Sequence, residues 1–470
     1  MDTIISCYES QTSGPKYKAL ALAIRQAVEQ GDLLPNAKLP PVRDLAWALK
    51  ITPGTVARAY SILTQEGLLQ AAVGRGTFVA ELAASHCSRS LPNDGGALTW
   101  KSSQDSEIVD LNSPRLPDRG QVSLIRQAFE VVGRDHDTDF MNYPTRNGFR
   151  PARQAILKWL QDTPIGHTED EDLVLCHGAQ NGNSIVMQTV LQGARPVVAV
   201  EELSYPGFRR AAELVRARVV AVPMDAHGIV PEALERIVRD LGVQLLCTSA
   251  EVHNPTGLFT PIERREEIAQ VALRTGLHIL EDDCYRLGKS QAPHYRALLP
   301  EQGWYVSSIS KSLTPALRVG FAIAPRPLRS QLRRSVEHGF FGLARPLADV
   351  VEHLLNDPRT ELASEAICEE VNRYIRAAVN ILGGFDLAWR DGMPLLWLQL
   401  PEGWRAAAFV QAADGQGVSV RSADDFALRD GHPPHAVRLG INAQVSLASF
   451  EAALGRLRVL LDNPPERIAV

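Results

Sequence analysis

The sequence predicts an α/β chain in two unlike parts: three short helices closed by a β-hairpin, then a long domain built on a parallel sheet. Three observations carry this. Apolar residues near the front recur at helical spacing and give way to two short strands around a glycine turn. Beyond residue 105, short β-rich runs alternate with helical stretches, as in a sheet covered by helices on both faces. At 470 residues the chain is also too long for one core, so a boundary is expected between the two textures.

In the first part Tyr17, Leu20, Ala21, Ile24 and Val28 share one helix face, and Gly31 stops that helix. A second helix fits Val42 to Leu49, opened by Pro40 and Pro41. A third runs from Pro53 to Glu66, with Thr52 as N-cap and Pro53 in the first turn, and Gly67 ends it. Residues 68–72 and 76–79 then read as strands around Val73, Gly74 and Arg75. Three helices and a hairpin make a winged helix-turn-helix over residues 12–80. Such a module lays its last helix in the major groove of double-stranded DNA and clamps the phosphates with neighbouring groups. The candidate contacts are Thr55 and Arg58 on the third helix, Arg43 on the second, and Arg75 in the wing beside Gly74, where backbone N–H groups can approach a phosphate. Residues 15–80 hold eight Lys or Arg against four Asp or Glu. This small part is therefore at +4 while the chain as a whole is at −5, as a DNA-facing module requires.

Residues 81–105 contain Ser88-Arg-Ser-Leu-Pro-Asn-Asp-Gly-Gly and little periodic pattern, which reads as a linker; residues 106–470 form the large domain. Its β-rich runs are Val197–Val200, Val219–Val222, Gln244–Cys247, His278–Leu280 and Trp304–Val306. Six cysteines stand without a CxxC pair, so neither a disulfide framework nor a metal site is expected. The start carries an acid where a signal peptide needs basic residues, and no apolar run spans a bilayer, so a cytoplasmic protein without a membrane partner is expected.

The strings Leu39-Pro-Pro-Val-Arg-Asp-Leu-Ala, Thr55-Val-Ala-Arg-Ala-Tyr and Gly74-Arg-Gly-Thr-Phe-Val resemble the GntR family of bacterial regulators. The chain departs from that family at Pro53-Gly54 and Ala57, where a long polar residue is usual, so base contacts are weaker or placed elsewhere. In the large part, Ser308-Ile-Ser-Lys311 with Arg318 seven residues on resembles the Schiff-base lysine motif of fold-type I, pyridoxal 5′-phosphate (PLP)-dependent aminotransferases. That resemblance implies a fold-type I major domain with a C-terminal α+β subdomain, and Lys311 as the cofactor's covalent anchor. It further implies that Ser308, Ser310 and Arg318 hold the phosphate together with the turn Gly178-Ala179-Gln180. Asp282 would pair with the pyridine nitrogen, Asn254 and Tyr285 with the ring oxygen, and Tyr205 would stack on the ring. Tyr143 would reach the phosphate of a neighbouring subunit, and Arg438 would take the carboxylate or sulfonate of a ligand.

A GntR-type module ahead of an aminotransferase-like domain resembles the MocR subfamily. The resemblance implies a PLP-dependent transcription regulator, a head-to-tail homodimer on operator DNA, and a small amine inducer sensed by aldimine exchange at Lys311. Members of that subfamily respond to γ-aminobutyrate, taurine, ectoine breakdown products or the vitamin itself, and a taurine- or ectoine-type inducer is the expectation here. Two alternatives remain open from sequence: a working aminotransferase carrying a DNA-binding module, and a repressor that senses PLP alone.

Overall fold

The structure is a computed structural model that describes residues 8, 16–29, 33, 37–65, 68–72, 76–79, 108–135, 140–143, 145 and 149–465. It divides into two compact units, Met1–Lys101 and Ser102–Val470.

In the small unit, helices α1 (Lys16–Glu29), α2 (Val42–Ala48) and α3 (Pro53–Gln65) precede strands β1 (Leu69–Ala72) and β2 (Gly76–Val79). The strands pair antiparallel, Leu69 opposite Val79 and Ala72 opposite Gly76. The α3 start is set locally: the Thr55 amide donates to Thr52 Oγ1 at 3.3 Å, satisfying one of the donors that a helix start leaves open. Leu20, Ile24, Leu45, Val56, Leu63, Leu69 and Val79 make the core. Each contributes about 1.5–3 kcal/mol of apolar burial, and together they hold α3 against α1 and the hairpin. The Tyr60 hydroxyl donates to the Pro40 carbonyl at 2.8 Å, tying α3 to the entry of α2. The linker and the wing-turn residues Gly74 and Arg75 lie outside the described residues.

The large unit is organised by a seven-stranded sheet. Its strands are β3 (Leu173–Cys176), β4 (Val197–Glu201), β5 (Arg218–Val222), β6 (Val243–Thr248), β7 (His278–Asp282), β8 (Gly303–Ser308) and β9 (Gly320–Ile323), in the order β3-β9-β8-β7-β6-β4-β5. The sheet is mixed, whereas the sequence pattern predicted a parallel one: β9 runs antiparallel to both β8 and β3. The reason is the connection. A parallel return needs a crossover of about a dozen residues or more, usually a helix, and segment 309–319 is too short for one, so the chain comes back antiparallel. Alternation along the strands feeds two cores. Leu175, Tyr305 and Phe321 face helices Gln121–Arg134, Arg150–Trp159 and Arg345–Asn356, while Cys176, Val306 and Ala322 face helix α4 (Gly178–Val190).

A second, antiparallel sheet follows, of β10 (Leu387–Ala388), β11 (Leu395–Gln399), β12 (Arg421–Ser422) and β13 (Ala436–Gly440), in the order β10-β11-β13-β12. It packs on helices Pro358–Leu382 and Leu447–Asp462 through Ile367, Val371, Leu396, Leu439 and Phe450. Residues 109–116 are laced to this part: Val109 and Asp110 pair in parallel with Val418 and Ser419, and the Gly440 amide donates to the Leu111 carbonyl at 2.7 Å. Among the described residues no helix is long and apolar enough to cross a membrane.

Candidate cofactor and ligand site

Six of the seven strands point the same way, so the loops that leave their C-terminal ends gather at one edge of the sheet, where α/β proteins place their sites. From β3 the chain turns at Gly178, whose φ of +76° suits glycine, into the N-terminus of α4. A Cβ at Gly178 would lie 2.7 Å from the Arg318 guanidinium, so the bare backbone is what lets the arginine approach the helix start. From β4 comes Tyr205, set edge-on to Phe208 at 5.7 Å; burial raises its phenol. Gln180 on α4 donates to the Gly207 carbonyl at 2.8 Å beside it, and its own buried Oε1 finds no partner. From β6 comes Asn254, in a turn closed by Gly257, whose amide donates to the His253 carbonyl at 2.6 Å.

Asp282 is the last residue of β7 and is buried. Asn183 Nδ2 donates to its Oδ2 at 2.7 Å and the Cys284 amide to its Oδ1 at 3.1 Å. Burial raises this carboxyl above the usual carboxylate range, and the two hydrogen bonds oppose that shift. Beside it the Cys284 thiol is pushed well above its ordinary value by burial and then by the Asp282 charge. It rests 3.5 Å from Ser308 Oγ, at the end of β8. Ser308 Oγ also accepts from the Ser310 amide at 3.3 Å.

Lys311 Nζ donates to the Pro114 carbonyl at 3.2 Å and lies 5.6 Å from the centre of the Tyr285 ring. Arg438 is only 2% exposed. Its Nη1 donates to Asn254 Oδ1 at 2.6 Å, its Nη2 to the Asn112 carbonyl, and its guanidinium carbon sits 4.8 Å above the Phe426 ring. Its Nε has no partner, and among the described residues no carboxylate lies within ion-pairing distance of it. Burial accordingly lowers its pKa. Asn254 Nδ2, likewise buried, is open too.

The fold thus joins Gly178 with Arg318, Asp282 with α4, Ser308 with Cys284, Lys311 with Tyr285, and Arg438 with Asn254. Tyr143 is not joined to them within its own chain; it is 81% exposed and meets Phe341 at 5.7 Å. Sequence reasoning missed Asn183, Phe426 and the carbonyls of Asn112 and Pro114. Asn183 carried a signal, since it lies three residues after Gln180 on one face of α4, a polar side chain in a buried stripe. The two carbonyls carried none. On the small unit Arg43 and Arg58 are exposed, and Thr55 Oγ1 lies 2.8 Å from Thr52 Oγ1. The Arg58 guanidinium stacks 4.3 Å from the Tyr17 ring, across to α1.

These groups fit PLP. The cofactor needs a carboxylate for its pyridine nitrogen, an amine for its aldehyde, donors for its ring oxygen and an anion nest for its phosphate. The open Asn254 amide and the glycine-floored start of α4 are such features, and Asp282 and Lys311 offer the other two.

Comparison with known proteins agrees. Residues 106–457 match the family of aminotransferases class I and II, and residues 16–79 match the gntR family of bacterial regulatory proteins. An uncharacterized HTH-type transcriptional regulator of Bacillus subtilis, YdeF, is 27% identical over 456 residues, 96% of this chain and 95% of the relative. The HTH-type transcriptional regulator TauR of Rhodobacter capsulatus is 31% identical over 344 residues, 66% of this chain and 68% of the relative. The crystal structure of an archaeal alanine:glyoxylate aminotransferase shares the fold, with a TM-score of 0.68 at 21% identity, over 76% of this chain and 91% of that one. A cofactor-binding fold behind a gntR-type helix-turn-helix places the chain in the aminotransferase class I and II family and makes it a PLP-dependent, DNA-binding transcription regulator of the MocR architecture.

Proposed function

We propose that the chain senses a small amine bearing an acid group, at PLP anchored on Lys311, and that occupancy of this site changes the grip of the winged helix on operator DNA. The observation that carries this is Arg438, a buried cation without a carboxylate. An uncompensated buried charge is costly unless an anion completes it. It is joined through Asn254 to the donor set for the cofactor ring.

In this reading each side chain has one task. Asp282, whose ionised form Asn183 and the Cys284 amide favour against burial, pairs with the pyridine nitrogen. Asn254 and Tyr285 hold the ring oxygen and Tyr205 covers the ring face. The start of α4 at Gly178, Ala179 and Gln180, with Ser308, Ser310 and Arg318, holds the phosphate. Tyr143 of the partner subunit completes that nest in a head-to-tail homodimer acting in the cytoplasm. Bound PLP supplies an aldehyde carbon that one amine at a time can occupy. Lys311, once released, has the Pro114 carbonyl as acceptor, and Arg438 holds the ligand's acid group next to the Asn112 carbonyl. Both carbonyls belong to segment 109–116, the first part of the large unit after the linker, so the stretch that leads back to the DNA-binding module touches both ends of the ligand site. A coupling of about 1–3 kcal/mol is enough to change operator affinity by one or two powers of ten.

The test begins by selecting bound sequences from a random duplex library with the PLP-loaded protein. The selected operator is then titrated at fixed salt with and without amines that shift the cofactor absorption band. At least one such amine is expected to change operator affinity tenfold or more. Band shifts with unchanged operator affinity for every amine would contradict the reading.

A further inference from the structure

We infer that the ligand carries two acid groups and that Arg421 reads the second, an inference that rests on the amine-sensing reading above. Arg421 on β12 stands directly opposite Arg438 on β13, so the two side chains leave the same face of the sheet. Like charges directly opposite one another destabilise a strand pair, and an anion between them relieves that cost. Both guanidinium groups sit over one ring, Phe426, at 4.8 Å for Arg438 and 5.2 Å for Arg421. Their central carbons are therefore within about 10 Å of each other.

Among the described residues Arg421 pairs with one carboxylate and Arg438 with none. Asp425 accepts from Arg421 Nε at 3.1 Å and is itself 42% exposed at the side chain. Neither Nη of Arg421 meets an acceptor among the described residues, so the flat edge that grips a carboxylate with two parallel hydrogen bonds is open. One ligand acid group neutralises Arg438, and the free edge of Arg421 takes another. The turn that presents Arg421 and Phe426 is fixed beside the cofactor site: the Ser204 amide donates to the Phe426 carbonyl at 2.9 Å, and Arg209 Nη1 to the Ala427 carbonyl at 2.7 Å. Ser204 directly precedes Tyr205. Two guanidinium groups on one face suit an α-amino dicarboxylate and not a monoacidic aminosulfonate.

The experiment is calorimetric titration of the full-length, PLP-loaded protein with L-glutamate against L-norvaline, and L-2-aminoadipate against L-norleucine. Each pair matches in length and differs in the second acid group. The diacid of each pair is expected to bind about 10- to 100-fold tighter, as one charge-assisted, bidentate contact provides. Arg421→Gln is expected to bring that ratio close to one. Asp425→Asn, which removes a negative charge from the path of the second acid group, is expected to raise it. Equal binding within each pair, or a ratio untouched by Arg421→Gln and Asp425→Asn, overturns the assignment of Arg421 and leaves amine sensing standing. No heat and no band shift with any of the four likewise overturns the assignment of Arg421, while the amine-sensing reading is judged by its own operator titration.

Discussion

Asn183 Nδ2 donates to Asp282 Oδ2 at 2.7 Å, so the helix that opens on Gly178 is bonded to the carboxylate at the end of β7, across 99 residues of sequence. In the proposed reading this link fixes two ends of the cofactor relative to each other, the phosphate end at the helix start and the pyridine end at the strand tip. It also favours the ionised carboxylate against the burial that opposes it.

Asn183→Ala is therefore expected to weaken PLP binding about tenfold, the worth of one hydrogen bond to a charged group, with Lys311 untouched. Equilibrium titration of apo protein by the cofactor absorption band measures it. Unchanged affinity would mean that Asp282 needs no help to stay ionised.

Gly178→Ala places a methyl group 2.7 Å from the Arg318 guanidinium and asks alanine to adopt a φ of +76°. The backbone strain alone costs about 1–2 kcal/mol, and the displaced arginine adds to it. Phosphate affinity, read by competition of inorganic phosphate with PLP, is expected to fall about tenfold or more while the apo protein still melts cooperatively.

A buried ionic cluster flanks Asp282 on both sides. Arg265 bonds Glu251 at 2.9 Å, His294 bonds Glu281 at 2.9 Å, and Tyr305 and Arg286 bond Asp283 at 2.6 and 2.7 Å. Burial alone would depress His294, but the Glu281 and Asp283 charges outweigh it and raise the imidazole above 6.5. A histidine raised on folding contributes stability that is fully present below its unfolded value and is lost as pH climbs through its folded one. The Tm is expected to fall on going upward from about pH 6.5, the ordinary histidine value. His294→Gln is expected to cost about 3–5 kcal/mol at pH 6 and to flatten that slope. Calorimetry of both proteins from pH 5 to 9 is the check; parallel curves would show that His294 titrates alike in the folded and unfolded chain.

Arg58 is both a candidate DNA contact on the third helix and a cap on Tyr17. Arg58→Ala is expected to lower the slope of log affinity against log salt by about one while weakening all duplexes alike. Tyr17→Leu, which keeps the charge and removes the stacking, is expected to leave that slope in place. An equal loss of slope in both variants would make the stacking, and not the charge, the functional part.

Much of this architecture was legible in the sequence because it rests on local signals. Thr52 and Pro53 mark the start of α3, and helical periodicity places Leu20 and Ile24 in the core. The residues proposed to hold PLP stand in motifs that survive without neighbours, Lys311 after a strand and Asp282 at the tip of another. What escaped depends on long-range geometry. The antiparallel course of Gly320–Ile323 follows from a connection too short for a crossover, a fact about two strands at once. The carbonyls of Asn112 and Pro114 carry no side-chain identity, and only the threading of segment 109–116 beside the C-terminal sheet brings them to Arg438 and Lys311. The pairing of Arg421 with Arg438 needed the register of β12 on β13.

The amine of Lys311 is the proposed anchor of the cofactor, and borohydride reduction of the PLP-loaded protein followed by peptide mass spectrometry tests this most directly. One pyridoxyl label per chain is expected, on the peptide that carries Lys311, and none on that peptide in Lys311→Ala. A label confined to another lysine, or no label at saturating cofactor, would contradict it.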